Sequence, residues 1–145
     1  MPKPRVFLDS SVIIAALLSS RGASYYLLSQ RSEILDFRIN EYVFEEVRRS
    51  LDIKFSGQPA LISHLFLIIG AASIEMITNP AAAEVRAAET VISKKDAPIL
   101  ASALTHSEYL LTLDNEFFNT PVIAAARDKS LTIVKPGELI RLFDT

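Results

Sequence analysis

Apolar positions follow two alternating rhythms along the chain. Short runs rich in apolar residues, Arg5–Leu8 (RVFL), Phe37–Ile39, Ser73–Ile77, Tyr109–Leu113 (YLLTL) and Leu131–Val134, have the length and side-chain content of strands. Helical patterning fills the gaps. Val12–Leu18 reads as a helix with Ser10 or Ser11 as N-cap, and Ser24–Gln30 as a second after the punctuation at Gly22. In Glu41–Ile53, Phe44, Val47, Leu51 and the following Phe55 recur at i, i+3, i+7 and i+11, one apolar stripe. Further helices are expected over Pro59–Ile69, from Pro80 to Thr90, from Asp96 through DAPILASALTH, over Pro121–Arg127 and over Pro136–Phe143. Strands alternating with helices predict an α/β fold with a mainly parallel sheet. Right-handed crossovers place helices on both of its faces.

Length and composition narrow this picture. The chain has 145 residues and shows no repeat or linker, so a single domain over residues 1–145 is expected. Half of the residues are hydrophobic and 22% are charged, which excludes a disordered tail. There is no cysteine and there are only two histidines. Disulfide scaffolds, thiolate zinc sites and cysteine nucleophiles are therefore excluded, and any metal must be held by carboxylates. The net charge of −2 predicts no general affinity for nucleic acid, so a phosphate-binding surface would have to be a local basic rim. The opening MPKPRVFLDSS is unlike a signal peptide. The apolar stretch LFLIIGAA at 65–72 falls far short of the ~20 residues that span a bilayer. A cytoplasmic protein without membrane attachment is the expectation.

Candidate chemistry lies with the acids. Asp9 directly follows the first strand, Asp114 follows YLLTL, and Asp96 stands where a loop becomes a helix. In an open parallel sheet functional groups gather beyond the carboxyl ends of the strands, so Asp9 and Asp114 share a rim if their strands are neighbours. Glu45 and Glu46 could lean over the same edge, and helical phase does not choose between them. Each acid also has a plain structural use: Asp96 as an N-cap, Asp114 as the cap of a short NEFF helix, and the glutamates as a solvated helix face. Gathered together they make a demand, because two carboxylates about 6 Å apart repel by roughly 3 kcal/mol at an effective dielectric of 20. Protons, basic side chains or a divalent cation must answer that repulsion, and an all-oxygen site suits Mg²⁺ or Mn²⁺.

At these residues the sequence resembles the PIN-domain nucleases. VFLDSSVIIAALLS looks like their opening motif, EYVFEEVRRSL like their second, KKDAPILASAL like their third and YLLTLDNEFF like their fourth. The resemblance runs in order over residues 5–118, and the second motif selects Glu46 over Glu45. It implies a three-layer α/β/α sandwich around a mostly parallel central sheet of about five strands. It also implies a carboxylate site that binds Mg²⁺ or Mn²⁺ and hydrolyses a phosphodiester, usually in RNA. Carried over, that site is Asp9, Glu46, Asp96 and Asp114. Many members are VapC-type toxin ribonucleases, often homodimers, each held inactive by a small antitoxin. Two departures stand out: Ser11 replaces a common Asn, and Glu116 replaces a further Asp found in many members.

In the roles this implies, Asp9, Asp96 and Asp114 hold one or two cations, Glu46 completes the set or orients the attacking water, and Glu116 reaches a metal with its longer chain. Arg48, Arg49, Lys94 and Lys95, each near a proposed acid in sequence, are candidates for RNA phosphates, with Arg21 a weaker one. Ser10 and Thr112 are available as hydroxyls behind the acids, although local turn or cap bonds are their commoner use. His64 and His106 read as structural. The stretch LISHLFLII is apolar nearly all round, which points to deep core or to a contact between two copies. Two rival functions remain open: a PIN-fold binding module without catalysis, and a phosphotransfer or phosphatase enzyme with Asp9 as phosphate acceptor. The four glycines are too scattered for a nucleotide-binding loop.

Overall fold

The structure, a computed structural model, describes residues 2–144. Side chains of the central strands lose all contact with water: Val6, Phe7 and Leu8 in β1 (Arg5–Leu8) and Leu110 and Leu111 in β4 (Tyr109–Leu111) are fully buried. Burial on both faces is what a parallel sheet flanked by helices requires. The sheet has five strands in the order β3-β2-β1-β4-β5, with β2 at Asp36–Ile39, β3 at Glu75–Met76 and β5 at Thr132–Val134. Every pairing is parallel; Phe7 stands opposite Arg38 on one side and Leu110 on the other.

The chain first builds outward from β1 through β2 to β3, then crosses back to β4 and β5. Because such crossovers are right-handed, the reversal puts successive helices on opposite faces. Helices α1 (Ser10–Leu18), α2 (Ala23–Gln30), α3 (Glu41–Lys54) and α4 (Ala60–Ala71) pack with one another, and α8 (Pro136–Phe143) joins α2. Helices α5 (Ala82–Ala88) and α6 (Ala97–His106) pair on β1 and β4, and α7 (Thr120–Asp128) covers β5. This is the three-layer α/β/α sandwich. The reversal leaves a crevice between the carboxyl ends of β1 and β4, the place where open α/β sheets bind ligands.

Local differences from the sequence pattern have physical causes. The YLLTL strand ends at Leu111; Thr112 N–H still donates to Val134 (3.1 Å), but the Thr112 side chain is taken up by Asp9 and the chain turns. β3 shrinks to two residues at the sheet edge, preceded by Ser73 in the left-handed region at φ 52°. The helix expected from Pro80 begins at Ala82, where Glu84 reaches back to the Ala81 N–H at 2.9 Å. In α3 the buried line is Val43, Val47 and Leu51, with Phe44 and Phe55 half-buried beside it. Deep core is excluded for LISHLFLII: only Leu61 and Leu65 face inward fully, while Phe66 and Leu67 are 57% and 67% exposed. Among the described residues no single helix is long and apolar enough to cross a membrane.

Candidate metal centre

Asp9 leaves β1 directly into α1 and is only 3% exposed. It occupies the N-cap position of α1, which starts at Ser10, so neither Ser10 nor Ser11 caps the helix as the sequence suggested. Both serines sit in the first turn and serve the acids instead. The Asp9 Oδ2 accepts hydrogen bonds from the hydroxyls of Ser11 (2.7 Å) and Thr112 (2.8 Å). Each hydroxyl in turn accepts from backbone, Ser11 from Leu113 N–H and Thr112 from Asp114 N–H, both at 3.0 Å. These relays fasten the end of β1 to the segment that carries Asp114. Ser11, the departure from the usual Asn, thus makes the polar contact to Asp9 itself. Ser10 donates to Glu46 of α3. Thr112 makes both the expected local turn bond, from the Asp114 N–H two residues on, and a bond to Asp9, whereas the Ser10 hydroxyl goes to Glu46 and not to a local cap or turn.

Between the two glutamates the structure separates what helical phase could not. Glu46 is the one joined to the Asp9 neighbourhood; Glu45 pairs with the exposed Arg48 at 3.4 Å. Asp96 stands at the N-cap position of α6, yet its side chain makes no capping bond and accepts from Ser93 Oγ at 3.2 Å. Asp114 does cap the 3-10 helix Asn115–Phe118, accepting from Glu116 N–H at 3.0 Å. That turn swings Glu116 back, so that carboxylate oxygens of Asp96, Asp114 and Glu116 all lie within 4.8 Å of one another. The longer glutamate at 116 therefore reaches the same centre as the aspartates.

These acids have no cationic partner: among the described residues none of Asp9, Glu46, Asp96, Asp114 and Glu116 forms an ion pair. Burial pushes the Asp9 carboxyl up, the Ser11 and Thr112 hydroxyls oppose this, and the nearby Glu46 charge pushes it up further. Asp96 is pushed up to about 7, first by burial, then by its carboxyl–carboxyl hydrogen bond with Glu116, then by the charges of Asp114 and Asp9. Without a cation the cluster answers its own repulsion by holding a proton. Uncompensated carboxylate oxygens within 4.8 Å of one another fit a hard divalent cation, and hydroxyls behind Asp9 are the kind of support that orients ligating carboxylates.

A cleft of about 440 Å³ opens beside Glu46, between α3 and the loop before α6. Arg49, Lys94 and Lys95 line it, so three of the four basic candidates face the space next to the acids. Arg48, paired with Glu45, is not among its lining residues. His64 is exposed on α4, and His106 lies in the last turn of α6, away from the cluster. Residues that sequence reasoning missed include Ser93, which donates to Asp96, and two around the cleft. Asn40, fully buried, caps α3 and donates to Pro98 O (3.2 Å) and Ser102 Oγ (2.8 Å) of α6; its signal was an amide at a strand-to-helix junction. Tyr42 stands 49% exposed in the cleft, an aromatic that the α3 pattern left off the apolar stripe.

Among solved structures the chain is similar to VapBC2 from Rickettsia felis, crystallised bound to a DNA fragment from their promoter (TM-score 0.70, 16% identity, 90% of this chain and 98% of that one). PAE2754 from Pyrobaculum aerophilum gives a TM-score of 0.71 at 19% identity, covering 98% and 97%. FitAcB from Neisseria gonorrhoeae gives 0.61 at 20%, covering 91% and 98%. At such identities the likeness concerns the fold. No curated protein matches the chain significantly. The PIN-domain profile matches residues 6–123, a span that starts inside β1 and takes in all five acids. With the profile, the strand order and the acid-lined crevice in agreement, the chain belongs to the PIN-domain family.

Proposed function

We propose that this chain is a metal-dependent endoribonuclease, acting as a single domain that cuts RNA phosphodiester bonds at the β1–β4 crevice. The observation that carries the reading is the gathering of Asp96, Asp114 and Glu116 within 4.8 Å, next to buried Asp9 and with no basic partner. Asp9, Asp96 and Asp114 would hold one or two Mg²⁺ or Mn²⁺ ions, with Glu46 and Glu116 completing the set. Bound there, a divalent cation lowers the pKa of water and stabilises charge on phosphoryl oxygens. The chain supplies the rest. Ser11 and Thr112 fix the plane of the Asp9 carboxylate, and Glu46, steadied by Ser10, is placed to accept a proton from the attacking water. The proton that burial and the neighbouring acids favour on Asp96 would have to leave for a cation to be held there. Arg49, Lys94 and Lys95 offer positive charge to the substrate backbone beside the acids, with Arg48 farther out.

The partner in this reading is a small antitoxin protein, as for VapC-type toxins, and the working state is a cytoplasmic homodimer. The fold likeness to the VapBC2 and FitAcB structures supports that placement. The test is cleavage of single-stranded RNA by purified protein. Activity is expected with Mg²⁺ or Mn²⁺, loss with EDTA, and loss in Asp9→Asn. Cleavage that survives both changes, or no cleavage under any metal, overturns the reading; the second outcome leaves a binding module.

A further inference from the structure

We propose that the cleft beside Glu46 is a stacking subsite for one unpaired nucleobase of a single-stranded RNA, with Tyr42 as its platform. This rests on the ribonuclease reading and adds to it the form of the substrate. Tyr42, Glu46 and Arg49 fall at i, i+4 and i+7, so they share one face of α3 and all line the cleft. Positions 42 and 46 stand about one helical turn, ~5.4 Å, apart along the α3 axis, and Glu46 is the cleft residue joined to the Asp9 neighbourhood. A base seated on Tyr42 therefore lies beside the position at which a phosphate would meet the acids.

The Tyr42 ring is half exposed and, among the described residues, has no aromatic partner; the aromatic pairs are Phe44–Phe66 and Tyr109–Phe143. Pro98, at the start of α6, adds an apolar wall. The charges of the cleft divide in a useful way. Only Glu45 is charge-paired, by Arg48; Glu41 and Glu46 have neutral partners, Asn79 and Ser10, and keep their charge, while Arg49, Lys94 and Lys95 make no ion pair among the described residues. These three cations are free to meet a nucleic-acid backbone, and the ring is the group left to meet a base. Bases within a duplex are stacked on each other and cannot reach such a platform, so the fitting substrate is single-stranded or looped.

The experiment measures binding separately from cleavage. A labelled short single-stranded RNA, alone or annealed to its complement, is titrated with protein in EDTA and followed by fluorescence anisotropy. Tyr42→Ala is expected to weaken single-strand binding about 5- to 150-fold, the equivalent of the 1–3 kcal/mol that one stacked base contributes. Tyr42→Phe and Tyr42→Trp are expected to bind close to the native protein, and the duplex to bind weakly whatever stands at 42. Unchanged binding by Tyr42→Ala, equal losses for Phe and Ala, equal affinity for duplex, or no binding by the native protein would each overturn the subsite. Cleavage with metal is scored apart: cutting that ignores residue 42 removes the subsite and keeps the nuclease, whereas Tyr42-dependent binding without cutting does the reverse.

Discussion

Thr112 is a fully buried hydroxyl that joins two acids, donating to Asp9 and accepting from the Asp114 N–H. Thr112→Val keeps the shape and removes both bonds. Groups that orient metal ligands in this way typically contribute 10–100-fold in affinity, so a loss of about that size in Mn²⁺ affinity is expected by calorimetry. Thr112→Ser should restore most of it; an unchanged affinity in the valine variant would show that the hydroxyl orients nothing. Asp96 makes a second expectation, in pH. Its carboxyl is pushed from 3.8 to about 7, so the folded chain holds a proton that the unfolded chain has released. Folding then takes up a proton, and the stability this group contributes in metal-free protein is full below about pH 4 and falls as pH rises towards 7. Asp9, also raised, acts with the same sign. Thermal melts in EDTA should show a steeper fall between pH 5 and 7 in the native chain than in Asp96→Asn, with Mn²⁺ restoring stability most at the upper end. Equal slopes for the two proteins would contradict the shared-proton account.

At the scale of elements, α3 and α6 carry Glu46 and Asp96, and Asn40 ties one to the other. Its carbonyl oxygen caps α3 through Val43 N–H at 3.0 Å, while its amide donates to Pro98 and Ser102 of α6. Asn40→Ala removes the cap, leaves the buried Val43 N–H without its acceptor and ends both donations to α6. A loss of about 1–3 kcal/mol is expected, read as a lowered urea midpoint with an unchanged slope. Asn40→Asp retains an acceptor for the cap but loses the donors to α6, so metal affinity should fall with it. A variant that melts earlier but binds Mn²⁺ normally would reduce Asn40 to a cap. The extent of α3 was legible, since a 3.6-residue apolar period is a strong signal, and the observed Glu41–Lys54 lies one residue from the expected end. β3 was legible only as a place: a two-residue edge strand takes its identity from pairing with Arg38 and Ile39, which local sequence does not encode.

For the molecule as a whole, the outer face of α4 is the conspicuous surface, with Phe66 and Leu67 exposed next to an apolar groove of about 490 Å³ shared with α1 and α2. The proposed homodimer is expected to cover part of it. Leu67→Glu should therefore convert a dimer to a monomer by light scattering at a mass set by 145 residues, and a mass that does not change would move the interface elsewhere. In the interior the reverse holds: Phe7→Ala opens a cavity in the middle of the sheet and should destabilise the chain by about 3–5 kcal/mol, read from urea unfolding.

By itself the amino-acid sequence determined the kinds and order of the elements, because apolar periodicity and caps act over a few residues. It also determined which acids follow strands, because Asp9 and Asp114 mark where buried runs end. It left open whether those acids meet, since their separation depends on β1 and β4 being neighbours, a choice made by long-range pairing and the crossover at β3. Tertiary structure alone turned Ser10 and Ser11 from expected caps into partners of Glu46 and Asp9, left Asp96 without a capping bond, and chose Glu46 over Glu45 on geometric grounds. The physical reason is that a polar side chain near a helix start has local partners available, as Ser11 keeps in Asp9 and Asp96 in Ser93, and only tertiary packing adds the distant ones, Glu46 for Ser10 and the Leu113 N–H for Ser11.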